Sequence, residues 1–213
     1  MDQNTLVNGL ITYLGLVVLL TFHEFGHAWT AWKCGDDTAR LQGRVSLNPL
    51  VHIDPIGTVL LPLLMLLVPG AGRFMVGWAK PVPVNLNNLP NPRVDDVLIT
   101  AAGPLMNLIL AVALMALARA GLTAGSLGMA DICVQFAYLS LLLCFFNLIP
   151  IPPLDGSRVL RVLIGMSYEA YQEIARYGMV LLILVLQVPQ VRAVISYLTD
   201  HTGYAIGKIF GLS

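Results

Sequence analysis

Residues 6–32 read LVNGLITYLGLVVLLTFHEFGHAWTAW, an apolar stretch with two histidines and a glutamate set inside it. About 20 mostly apolar residues cross the roughly 30 Å hydrocarbon core of a bilayer, so the stretch predicts a transmembrane helix. It has no basic leading segment and no small-residue cleavage site, so it is not expected to be a removable signal peptide. Helix positions four apart lie on one face, which lets His23 and His27 present two imidazoles to one point with Glu24 beside them. That spacing suits a metal ion held by the imidazoles and a carboxylate placed for proton transfer. Ionisable groups at membrane depth are costly, and their default reading is functional.

The rest of the chain supports a membrane setting. Of 213 residues, 57% are apolar and 11% charged, against about 25% charged in an ordinary soluble domain. Mean hydropathy is +0.77. Twelve Lys and Arg balance twelve Asp and Glu, so no general attraction for nucleic acid is expected. Three scattered cysteines suit neither a disulfide framework nor a Cys-x-x-Cys metal knuckle. Further spans are expected at 97–118, at 132–149, and at 177–195 with an interruption at Pro189; 203–212 suits a short interfacial tail. The expected fold class is an all-α polytopic membrane protein, residues 1–213 forming one domain of about four transmembrane helices.

Residues 56–69 are apolar but short for a crossing, which favours a re-entrant segment. If this piece enters and leaves on one side, that side holds Lys33, Arg40, Arg44, Arg73, Lys80, Arg93, Arg158, Arg161 and Arg176, nine of the twelve basic residues. Short cytoplasmic loops collect positive charge. The expected topology therefore has the N-terminus outside and these loops in the cytoplasm. Two stretches alternate like strands at the membrane surface: Leu41, Gly43, Val45 and Leu47, and then Phe74, Val76 and Trp78. Short alternation also describes irregular loop, so both remain open.

A catalytic zinc site takes three protein ligands and one open position. His23 lies about 17 positions into its helix, roughly 26 Å along it, hence near the cytoplasmic side. In the re-entrant topology the helix ending near Asn147 also runs inward and delivers Asp155 to that depth. Three prolines in Pro150-Ile151-Pro152-Pro153 break the helix before it. A carboxylate offered by irregular backbone at membrane depth reads as a ligand more readily than as a helix cap.

The His23-Glu24-Phe25-Gly26-His27 motif, Gly103-Pro104-Leu105-Met106-Asn107 and the Asn147–Gly156 run stand in the order seen in the site-2 protease family. The sequence resembles that family of intramembrane zinc metalloproteases, in a short form without PDZ or CBS domain. The resemblance implies one zinc ion per chain, with His23, His27 and Asp155 as ligands and Glu24 as the catalytic residue. It also implies roles near the substrate for Gly103, Asn107 and Asn147; helix-to-helix packing and hydrogen bonding are the plain alternatives for the two asparagines. The expected reaction is cleavage of transmembrane segments of other membrane proteins. A zinc-activated water would be the nucleophile and Glu24 the general base. The expected setting is a prokaryotic cell membrane, with the site near its cytoplasmic side.

His52 and Asp54, just before the re-entrant piece, either orient a zinc ligand from behind or organise a turn ahead of Pro55. A divalent-metal transporter also fits paired histidines. It would need polar ligands along a whole pathway, and 6–20, 108–118 and 178–186 are dry. Metallopeptidases that recruit a helix glutamate as third ligand have candidates here only in Glu169 and Glu173, well past the proline break.

Overall fold

The computed structural model describes residues 3–67 and 77–212. The chain divides into two compact units, Met1–Leu89 and Pro90–Ser213.

In the first unit, α1 (Gln3–Lys33) is a single helix of 31 residues. Leu6, Leu10, Leu14 and Val18 recur every four residues on its exposed side. A water-soluble surface rarely keeps such a stripe, and lipid solvates it. The helix stops at Gly35, whose φ of 101° is left-handed. There Gly35 N–H donates to Trp32 O and Asp36 N–H to Ala31 O, the closure that consumes the last carbonyls of a helix. The Asp36 carboxylate then accepts from Thr38 Oγ1 at 2.5 Å, Asn85 N–H at 2.7 Å and Asn88 Nδ2 at 2.8 Å, tying the end of α1 to residues 85–88. Burial alone would raise this carboxyl, but the four donors of Thr38, Asn85 and Asn88 hold it below its ordinary value.

The stretch 41–47 is not a strand. Leu41 ends a short helix, α2 (Thr38–Leu41), and Gly43 at φ 69° reverses the chain, with Gly43 N–H on Arg40 O and Arg44 N–H on Ala39 O. Nothing lies within 4 Å of a Cβ built on Gly43, so its conformation, not space, asks for glycine. The reversal inverts the alternation: Leu41 is 84% exposed, whereas Arg44 is 3% exposed. Of the second predicted strand, Phe74 and Val76 lie outside the described residues, and Trp78 sits in extended chain without strand pairing.

A π-helical turn over Pro55–Leu60 leads into α3 (Leu61–Leu67). At about 1.5 Å of rise per residue or less, the described residues 55–67 span at most about 20 Å. Asp54 caps it, its Oδ1 accepting from Ile56 N–H at 3.0 Å and Gly57 N–H at 2.7 Å. Gly57 carries the Trp78 indole on its backbone, with its own carbonyl accepting from Trp78 N–H. A Cβ at Gly57 would lie 2.3 Å from that ring.

The second unit is built on α4 (Pro92–Thr123) and α5 (Leu127–Asn147), joined by a tight turn in which Gly125 has φ 75°. Pro92 sits at the first position of α4, where its missing N–H costs nothing. Both helices are long and apolar enough to span. They reach five residues beyond the predicted 97–118 at each end, and from 127 rather than 132. After the proline break come α6 (Asp155–Leu163), α7 (Tyr168–Ala175), α8 (Gly178–Leu186) and α9 (Pro189–Ile209).

The interruption expected at Pro189 is a sharp corner: α8 and α9 meet at 82°, because Pro189 starts a fresh helix instead of continuing the old one. Residues 203–209 are no separate tail but the last turns of α9. There Gly203 lets Tyr138 of α5 approach so closely that a Cβ would sit 2.5 Å from the ring. Ala111, Met115, Ala137, Leu141 and Ile206 form one core of this unit; Ile149, Leu154, Leu182 and Ile195 form another. The molecule is an all-α, multi-pass membrane protein, with no strand among the described residues.

Candidate metal centre

His23, Glu24 and His27 are all buried on α1. Their Nε2 atoms, on His23 and His27, lie 3.0 Å apart, with the rings edge to face. Two Zn–N bonds of about 2.1 Å at angles of about 90–110° would set two nitrogens about 3.0–3.4 Å apart. The pair therefore fits one divalent ion without rearrangement. Local helix geometry alone produces this, because i and i+4 stack on one face.

Arg44, which the sequence reading counted only as a topology marker, is buried in the same unit. Its Nη1 donates to Pro81 O at 3.2 Å, and Nη2 donates to Lys80 O and, at a long 3.5 Å, to His52 Nδ1. His52 Nε2–H donates to Ser46 O at 2.8 Å, and Lys80 N–H donates to His52 O. These partners assign His52 as the neutral ring protonated on Nε2. Burial pushes the Arg44 guanidinium below its ordinary value while the Glu24 charge opposes the change. The His52 ring is also held below its ordinary 6.5: burial and the Arg44 charge outweigh the opposing Ser46 carbonyl and Glu24. Glu24 thus shares its surroundings with one buried cation. Asp54 is spent on capping the π-helical turn.

In the second unit, Asp155 occupies the first turn of α6 with Leu154 as the capping residue. The backbone before it turns so tightly that a Cβ on Gly156 would meet Leu148 O at 2.2 Å. Ser157 Oγ donates to Leu154 O at 2.6 Å and pairs with Tyr171 OH at 3.0 Å. The helix that carries Asp155 is fastened to α4 by Asp96, whose Oδ1 accepts from Arg158 at 2.5 Å and Oδ2 from Arg161 at 2.6 Å. No motif announces this tie, since its partners are separated by 62 and 65 positions. Gly103 and Asn107 are buried in α4, where Asn107 O accepts from Ser140 Oγ of α5 at 2.7 Å. Asn147 ends α5 with its Nδ2 on Leu143 O at 2.9 Å.

The family model described as Peptidase family M50 matches residues 11–124 and 123–186. The chain belongs to that family. This M50 chain is 40% identical over 182 residues to a Bacillus subtilis (strain 168) protein named "Putative zinc metalloprotease YwhC", which covers 82% of this chain and 78% of the relative. It is 33% identical over 147 residues to "Putative zinc metalloprotease Rip2" of Mycolicibacterium smegmatis. It is 34% identical over 155 residues to the Mycobacterium tuberculosis H37Rv protein of the same name. The matches span 54% and 52% of these two mycobacterial proteins, about half their length. No solved structure matches. As a member of the M50 (site-2 protease) family, the chain is a membrane zinc metalloprotease.

Proposed function

We propose that this M50 chain cleaves transmembrane segments of other membrane proteins, with His23, His27 and Asp155 holding one zinc ion and Glu24 as general base. The observation that carries the reading is the 3.0 Å convergence of two Nε2 atoms beside a buried glutamate on a spanning helix. A third protein ligand is needed to leave one open position. Asp155, in the family's third motif, is the residue we assign to it. Residues 1–213 would then act as one catalytic domain.

Bound zinc supplies Lewis acidity and water of lowered pKa. Glu24 takes the proton from the attacking water and delivers it to the leaving amine nitrogen. Asn147 commits one amide hydrogen to Leu143 O, which leaves its other hydrogen and its carbonyl for the substrate backbone or the developing oxyanion. Gly103 and Asn107 are assigned to the wall against which the substrate lies. A substrate helix must unwind locally before its peptide bond is open to attack. Residues 56–69 are assigned as re-entrant, with the N-terminus outside and the site toward the cytoplasm.

The test is reconstitution with single-span substrates, comparing bound zinc and cleavage. Glu24→Gln is expected to keep zinc and lose cleavage, while His23→Ala and Asp155→Ala lose both. Equal cleavage by wild type and Glu24→Gln would overturn the assignment.

A further inference from the structure

Where α6 ends and α7 begins, the second unit encloses a cavity of about 260 Å³. Its walls carry Arg93, Arg161, Ser167 and Tyr168, with Val162 and Met166 between them. Arg161 gives one nitrogen to Asp96 and lies 5.6 Å from the centre of the Tyr168 ring. Arg93 is exposed and has no ion-pair partner among the described residues. The cavity wall itself carries two guanidiniums, Arg93 and Arg161, and no carboxylate, while three carboxylates stand close by, Asp95, Asp96 and Glu169, the last bonded to the Ser167 side chain. Of these, Asp96 is consumed by Arg158 and Arg161, and Asp95 accepts from Asn91 N–H at 2.8 Å. The carboxylates are thus each engaged, and the only charges lining the open space are the two guanidiniums.

Its surroundings are apolar. Leu163 is 75% and Ile164 58% exposed, immediately before the Gly165 turn. Arg93 is the second residue of α4, a spanning helix, so the cavity lies at headgroup depth whichever way the protein faces. A basic cavity beside exposed leucine and isoleucine, at the end of a span, matches an amphiphile with an anionic head. A free anion has no use for the apolar rim.

We infer that this cavity binds the phosphate of an anionic phospholipid, gripped by Arg93 and Arg161, while the acyl chains run over Leu163 and Ile164. Arginine is the side chain best shaped for phosphate oxygens. One Arg or Lys near an anionic lipid surface contributes about 1 kcal/mol, or about fivefold in binding. The site is separate from the zinc chemistry and needs no cleavage assay.

The experiment titrates the detergent-purified full chain with phosphatidylglycerol, phosphatidylcholine or inorganic phosphate and counts retained molecules by native mass spectrometry. Phosphatidylglycerol is expected to be retained in preference to phosphatidylcholine. Arg93→Gln, at an exposed position that the fold does not need, should weaken retention about fivefold. Val162→Trp, which fills the cavity and leaves every charge in place, should do the same, and Arg192→Gln, an exposed charge on α9, should change nothing. Equal retention of the two lipids, or an equal loss in Arg192→Gln, would overturn the site. Inorganic phosphate bound as tightly as phosphatidylglycerol would overturn its assignment to lipid.

Discussion

Arg44 and Asp96 are both buried charges, one in each unit, and they are neutralised in opposite ways. Asp96 meets two full counter-charges, each at bonding distance of one carboxylate oxygen. Arg44 meets chiefly dipoles: the carbonyls of Lys80 and Pro81 and a neutral imidazole. Its one counter-charge, Glu24, acts without a direct ion pair among the described contacts. A charge cancelled by ions is a fastening and has nothing left to give. A charge held by dipoles keeps its field, and here that field reaches the residue assigned as the base. The first arrangement belongs to stability, the second to chemistry.

The largest expected effect breaks the fastening. Asp96→Ala leaves two guanidiniums facing each other at the joint between α4 and α6. Removing one partner of a buried pair costs about 3–5 kcal/mol, and the loss here falls in the lower part of that range because Arg158 is 28% exposed and regains water. Thermal unfolding in detergent should show the fall, with zinc lost as a consequence because α6 carries Asp155, the residue proposed as third ligand. Unchanged unfolding would mean that the joint rests on apolar packing alone.

Arg44 should behave differently. Arg44→Lys keeps the charge but cannot serve both carbonyls and His52. Arg44→Met loses charge and donors together. Both should lose about 1–3 kcal/mol of stability, since backbone acceptors are left buried and unmet. Cleavage should separate them, falling further in Met than in Lys, because only Lys keeps a positive charge facing Glu24. Equal cleavage by the two variants would make Arg44 a structural tie like Asp96.

The same contrast explains what could be read from the sequence. The His23–His27 pair and the spans at α1, α4 and α5 were legible because each is set by local rules, the stacking of i and i+4 and the length of an apolar run. The corner at Pro189 was visible as a break, but its 82° bend depends on what α8 and α9 pack against. The 41–47 stretch misled because alternation places charged residues outward, and Gly43 reverses the chain and turns Arg44 in. Its acceptors lie 36 and 37 positions away. Asp96 was silent for the same reason, being one Asp among several until α6 docks.

The smallest effect sharpens the dipole side of the comparison through His52. Folding holds this imidazole below its ordinary 6.5, first by burial and then by the Arg44 charge, against the pull of the Ser46 carbonyl and Glu24. The unfolded chain therefore takes up a proton near pH 6.5 while the folded one resists. The stability that His52 contributes is complete above that value and drains away as pH falls through the folded pKa, at up to about 1.4 kcal/mol per pH unit between the two. Asp36, also held low, acts in the same direction but only below its ordinary 3.8. His52→Gln keeps a donor for Ser46 O and an acceptor for Arg44 without a titrating ring. Its unfolding free energy between pH 5 and 6.5 should fall less steeply than that of wild type, with zinc held saturating in both so that ligand protonation cancels in the difference. Parallel slopes would mean that His52 is already wet or already charged, and that Arg44 is not held by a neutral partner.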